Sequence, residues 1–262
     1  MNTYYNKRPA APKSSQEFIF GTRAVIEAVL AGKDIDKILI RKNLESSLSV
    51  ELFDALKGLR IPVQRVPVEK LNRVTTKNHQ GVVAFLSPIT YQRLEDLIPS
   101  IYESGEVPFF VLLDGITDVR NLGAIARTCD ATGVHALVVP ATHTAAINAD
   151  AVKTSAGALN TLPVCRENTL REAMMLLKHS GVKLVAATEK GALEYTKADY
   201  SGPIALVMGA EDTGVAPEHL KLCDQLVCLP MLGRIASLNV SVAAGVLLYE
   251  SIKQRSHGSP TD

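Results

Sequence analysis

Apolar positions along the chain switch repeatedly between two periods. Ala24, Val25, Ala28 and Val29 recur at helical spacing and stop at Gly32, a C-cap signal. Residues 37–40 predict a short strand. Val50, Leu52, Phe53, Leu56 and Leu59 predict an amphipathic helix, followed by a strand at 61–66, a short helix near 68–74 and a strand at 82–86. Together these make a small alternating α/β unit, residues 17–88, preceded by a tail at 1–16. Residues 89–107 carry Pro99 and an acidic excess; they read as a linker with one helical turn around 94–98, whose severing would expose little core. A second unit, 108–255, opens on the continuous apolar run 109–113 and ends before a tail at 256–262. Further strands are predicted at 136–139, 162–164, 183–187, 204–208 and 226–229, with a helix near 122–132 and a last one from 239 to 254. Strands of this kind alternating with helices imply a mostly parallel sheet covered on both faces. Ligands then belong in the loops at the carboxyl ends of strands, here after Leu113, Met208 and Leu229.

Composition narrows the function without naming it. A hydrophobic content of 47% with 21% charged residues excludes a disordered or fibrous chain, and 5% aromatics without Trp argue against a base-stacking surface. No apolar run approaches membrane-spanning length, and Lys7 and Arg8 are not followed by the apolar core of a secretory signal. Cys129, Cys165, Cys223 and Cys228 are too scattered for a disulfide framework and read as buried, reduced thiols of a cytoplasmic protein. The net charge of +1 conceals a division: residues 1–88 hold 14 Lys and Arg against 8 Asp and Glu, and residues 107–262 hold 13 against 15. That asymmetry points to a polyanion partner for the first unit. Dinucleotide, P-loop, metalloprotease and hydrolase fingerprints are absent, and the six histidines lack metal-ligand spacing, so neither a dehydrogenase nor a metal site is expected.

Three loop segments carry candidate chemistry. In the first, Asn121 stands at an expected helix N-cap with Arg127 six residues on, amid small residues, where it would meet an anion. In the second, a strand emerges at Gly209 into a glycine-bounded turn with Glu211; glycine there lets a ligand approach the backbone. In the third, Ser237, Asn239 and Ser241 interrupt an apolar stretch that begins at Leu229 and includes Met231 and Leu238.

In order and spacing, Asn121-Leu-Gly-Ala-Ile-Ala-Arg127, Gly209-Ala-Glu211 and Ser237-Leu-Asn239-Val-Ser241 resemble the three motifs of the SpoU (TrmH-like) RNA ribose 2'-O-methyltransferases, over residues 107–255. Phe20-Gly21 and His79-Gln-Gly-Val-Val-Ala84 look like the substrate-binding domain of the family's rRNA guanosine branch, which is similar to ribosomal protein L30e. The resemblance implies a C-terminal trefoil-knotted (SPOUT-type) parallel sheet, a homodimer with its active site near the interface, and an RNA substrate. A guanosine of 23S rRNA is favoured; a tRNA substrate and a non-catalytic ribosome assembly factor are the alternatives. Asp212-Thr213 and Arg234-Ile-Ala depart from the family's usual residues. The implied cofactor is S-adenosyl-L-methionine, held at Gly209, Leu229, Met231 and Leu238, with no metal required because a sulfonium already activates the methyl group. The implied catalytic set is Asn121, Arg127, Glu211, Ser237 and Asn239. Arg127 would either remove the ribose proton with help from a substrate phosphate or, as its permanent charge favours, clamp that phosphate and stabilise the developing alkoxide.

Overall fold

The computed structural model describes residues 16–191 and 193–257. Residues 1–15 and 258–262, most of the two expected tails, lie outside them. Ser256 and His257 instead complete the last helix.

The first unit runs β1 (Phe18–Phe20), α1 (Thr22–Leu30), β2 (Ile35–Arg41), α2 (Ser47–Ala55), β3 (Val63–Val66), α3 (Val68–Asn72) and β4 (Val82–Leu86). Its sheet has the order β1-β4-β2-β3. Val25, Ile26 and Val29 of α1 pack with Ile38, Ile40 and Leu52; of the expected stripe Val25, Ala28 and Val29 are buried, whereas Ala24 is exposed and Ile26 faces the core instead. A reciprocal Ser46–Ser49 capping box starts α2. Strand β1 escapes the apolar pattern because three residues are too few to show a period, yet it pairs antiparallel with β4.

The second unit adds β5 (Tyr91–Gln92), α4 (Leu94–Glu103), β6 (Phe109–Asp114), α5 (Val119–Ala131), β7 (Ala136–Pro140), α6 (Ala149–Thr154), β8 (Val164–Glu167) and α7 (Leu170–His179). It continues with β9 (Lys183–Ala187), β10 (Leu193–Glu194), β11 (Ile204–Gly209), α8 (Pro217–Leu220), β12 (Gln225–Cys228) and α9 (Val240–His257). Eight strands form a parallel sheet in the order β10-β12-β9-β11-β6-β7-β8-β5. Alternation along β6 sends Phe109, Val111 and Leu113 to the layer of α5, α6 and α9, and Phe110 and Leu112 to the layer of α4 and α7. After β12 the chain turns back across the sheet, so that α9 packs on α5 and β11.

The segment 89–107 differs from the linker reading. Strand β5 extends the large sheet beside β8. Helix α4 buries Leu94, Ile98 and Ile101 in the same cluster as Phe110 and Leu112. Pro99 inside this helix hid it from the sequence, since an interior proline costs about 3 kcal/mol. Three buried aliphatic side chains, at about 1.5–3 kcal/mol each, outweigh that cost. The acidic residues Glu95 and Asp96 lie in the first turn, where the helix dipole favours them. A chain cut to begin at residue 107 is therefore expected to melt roughly 10 °C below one beginning at residue 89. Equal calorimetric midpoints would show that α4 is not part of the core.

The free thiols follow the expectation only in part: Cys129 and Cys165 are buried, whereas Cys223 and Cys228 are half-buried. Burial pushes the Cys165 and Cys223 thiols up to about 12.

Candidate active site

The site begins with strand register. Asp114 ends β6 directly beside Gly209 at the end of β11, so the loops that follow leave the sheet edge together. Asp114 Oδ2 accepts hydrogen bonds from Ala216 N (2.8 Å) and His219 Nδ1 (2.8 Å), which draws the 210–216 loop back over the strand ends. Gly214 N donates to Ala210 O at 2.8 Å and closes the loop on itself. The loop lies so close to β11 that a Cβ on Gly209 would fall 2.1 Å from Gly214 C and Val215 N. Gly209 is required by backbone packing before any ligand is considered.

Beyond it opens a cleft of about 560 Å³, walled by the ends of β9, β11 and β12, the 229–239 loop and α9. That volume suits a nucleotide-sized molecule. Gly209, Leu229, Met231 and Leu238, the four expected cofactor positions, all line it, as do Glu211 and Ser237. Leu229 is half-buried, while Met231 and Leu238 stand at the mouth with 36% and 39% of their surfaces exposed.

At the rim a polar cluster joins all three motif segments. Asn239 occupies the N-cap position of α9, its Oδ1 accepting from Ser241 N at 2.9 Å. Its Nδ2 donates to Asn121 Oδ1 at 3.0 Å and also, closely, to Glu211 Oε1. Glu211 Oε1 accepts in addition from Val240 N at 3.4 Å, so a carboxylate faces the first turn of a helix. One amide thus ties α5, the 210–216 loop and α9 together.

Two expectations need correction. Asn121 does not cap α5: Asp118 does, accepting from Arg120 N (2.7 Å) and Asn121 N (2.9 Å). The helix starts three residues earlier than the apolar pattern showed, which leaves the Asn121 side chain free to reach Asn239. The structure also does not bring Arg127 to the cluster. Six residues along α5 carry it about 9 Å further and roughly 120° around the axis from Asn121. It is exposed there, and among the described residues it has no hydrogen-bond or ion-pair partner. Gly123, between the two, serves packing: a Cβ would stand 2.7 Å from Thr154 Cβ on α6. Asp114 and His219 escaped the sequence reading. The only signal was an Asp-Gly at a strand end, and His219 lies 105 residues away. Among the described residues no three His, Cys, Asp or Glu side chains gather as a metal site would require, and no helix is long and apolar enough to cross a membrane.

A parallel α/β sheet with a nucleotide-sized cleft at its strand carboxyl ends, and a polar cluster beside it, defines a ligand-binding protein of the doubly covered sheet class. Residues 108–249 match the SpoU rRNA Methylase family, and residues 18–92 match the RNA 2'-O ribose methyltransferase substrate binding family. The chain belongs to the SpoU family and is an RNA ribose 2'-O-methyltransferase of that class. YacO of Bacillus subtilis (strain 168), provisionally assigned as a TrmH family tRNA/rRNA methyltransferase, is 35% identical over 239 residues, 91% of this chain and 96% of that one. The 23S rRNA (guanosine-2'-O-)-methyltransferase RlmB of Escherichia coli (strain K12) is 35% identical over 243 residues, 92% of this chain and 99% of that one. Among solved structures, the SpoU methyltransferase AviRb from Streptomyces viridochromogenes, in complex with the cofactor AdoMet, superposes with a TM-score of 0.59 at 28% identity, covering 92% of this chain and 91% of that one.

Proposed function

We propose that this protein methylates the ribose 2'-hydroxyl of a guanosine in 23S rRNA, in the cytoplasm, as a homodimer that uses S-adenosyl-L-methionine. The observation that carries this reading is the cleft itself, with the Asn121–Glu211–Asn239 cluster on its rim. The cleft suits the methyl donor. Leu229, Met231 and Leu238 offer apolar faces for a flat base, and Gly209 lets the 210–216 loop close on β11 to form the wall beside them. When bound, the donor supplies a methyl group already activated by a sulfonium.

The protein's own tasks are then to align the ribose oxygen and to ease loss of its proton. Asn239, fixed by Glu211 and Asn121, and Ser237 orient the nucleotide at the rim. Arg127 contributes a fixed charge to a substrate phosphate or to the developing alkoxide. Its outward position on α5 is consistent with service to a second copy. Val242 and Tyr249 on the adjoining α9 and Leu232 and Ile235 in the 229–239 loop are 51%, 59%, 99% and 73% exposed, an apolar surface suited to pairing. The trefoil knot of the C-terminal part belongs to the same proposal, supported by the return of the chain from β12 to α5. Binding of the 18–92 unit to RNA is supported by its basic balance.

Isothermal calorimetry should show saturable binding of S-adenosylhomocysteine and no heat with NAD. Methylation mapping of ribosomal RNA from a deletion strain should reveal one missing ribose methyl group. The absence of heat with S-adenosylhomocysteine, on folded protein, would overturn the cofactor assignment. A methyl group missing from tRNA instead would support the wider substrate class of the YacO relative.

A further inference from the structure

Away from the cleft, the two units meet along a buried polar seam centred on β8. Arg166 is 7% exposed. Its Nη1 and Nη2 donate to Asp36 O and Ile35 O, both at 3.0 Å, and its guanidinium lies 3.9 Å from the centre of the Tyr91 ring. Those two carbonyls stand at a register shift in β2, between Ile35 and Lys37, where Asp36 has no partner on β4. Glu167, 3% exposed, accepts from Arg60 Nη1 at 3.1 Å and from Leu94 N at the start of α4 at 3.0 Å. Thr90 Oγ1 donates to Asp34 Oδ2 at 2.7 Å, and the Tyr91 hydroxyl reaches Asp36 Oδ1 at 3.4 Å.

Adjacent residues of a strand point to opposite faces. Arg166 and Glu167 therefore grip the first unit from the two sides of β8, one through the start of β2 and the other through the chain ahead of β3. Two grips on opposite faces fix rotation as well as separation. Opening the seam would give up both Arg166–carbonyl hydrogen bonds and the Glu167–Arg60 ion pair at once, leaving Glu167 only its bond from Leu94 N, which biases the first unit against swinging. Neither residue lines the donor cleft or belongs to its polar cluster.

We propose that Arg166 and Glu167 are positioning residues that lock the substrate-binding unit at one orientation to the donor cleft, so that RNA is selected by the span between the element this unit holds and the ribose to be methylated. The selection of RNA rests on the function proposed above; the lock does not. Breaking it lets the first unit wander, which dilutes productive binding modes and raises KM without changing the chemistry.

The test pairs small-angle X-ray scattering with steady-state kinetics on a 23S rRNA transcript, for the wild type and for Arg166→Met, Arg60→Met and Arg166→Lys. The wild-type curve is expected to fit one arrangement of the units. In both methionine variants the maximum dimension should broaden and KM rise about tenfold, while kcat and S-adenosylhomocysteine affinity stay within about twofold. Arg166→Lys, which keeps a donor for one carbonyl, should fall between. Should Arg166→Met fail to fold, Arg60→Met breaks the same seam from a partly exposed side chain of the other unit. The lock is overturned by a wild-type curve that needs several arrangements, or by Arg60→Met leaving the scattering unchanged. Its role in selection is overturned by broadened scattering with unchanged KM. A wild type that leaves the transcript unmethylated refutes the proposed substrate, and the scattering still decides the lock.

Discussion

Arg127→Ala is expected to lower kcat for RNA methylation by about 10²–10³, the usual loss when one fixed donor to developing negative charge is removed. Donor affinity should change by less than about threefold, because Arg127 is not among the residues lining the cleft. Stability should hardly move, since the side chain is exposed and pairs with nothing among the described residues. These three readouts separate a role in the reaction from a role in folding. Arg127→Lys refines the result: lysine keeps the charge but lacks the planar fork, so a clamp on two phosphate oxygens would recover only a fraction of the rate. Turnover near the wild-type value in Arg127→Ala would remove the residue from the mechanism.

Gly209→Ala should be the most damaging single methyl group in the chain. Its Cβ would lie 2.1 Å from two backbone atoms, Gly214 C and Val215 N, and no side-chain rotation relieves a collision with backbone. Either the 210–216 loop lifts away from β11 or the end of the strand shifts. Overpacking of this kind costs about 1–3 kcal/mol or more. Both movements deform a wall of the cleft, so S-adenosylhomocysteine affinity should fall at least about tenfold alongside a lower melting temperature. Gly233→Ala is the control: nothing lies within 4 Å of its added Cβ, and it should melt within a degree or so of the wild type. Matching behaviour of the two variants in calorimetry would refute this account of Gly209.

What the sequence disclosed follows from the length and strength of each pattern. The runs at β6, β9 and β11 are long, continuous and buried on both faces, so their position and the parallel class were legible. Strands β1 and β5 span three and two residues and are defined by their partners, β4 and β8, so no local pattern could show them. Pro99 disguised α4, whose stability comes from Leu94, Ile98 and Ile101 meeting a sheet distant in sequence. Within the site, the three motif segments were legible as segments. That Asn239 donates to both Asn121 and Glu211 was not, because 118 and 28 residues separate the pairs and only the register of β6 with β11 closes those gaps. The same holds for Asp114 and His219.

The return of the chain from β12 to lay α9 against α5 also governs when the cleft can exist. Its walls come from residues 187–247, and α9 emerges from the ribosome only after every strand of the sheet. A nascent chain therefore completes its eight-stranded sheet only at β12, residues 225–228, and still lacks the α9 wall of the cleft at that point. Contacts that join Asn121 to Asn239 close late and across a long loop, which makes this step slow relative to the local pairing of strands. Donor binding by the newborn protein thus times the docking of its final helix.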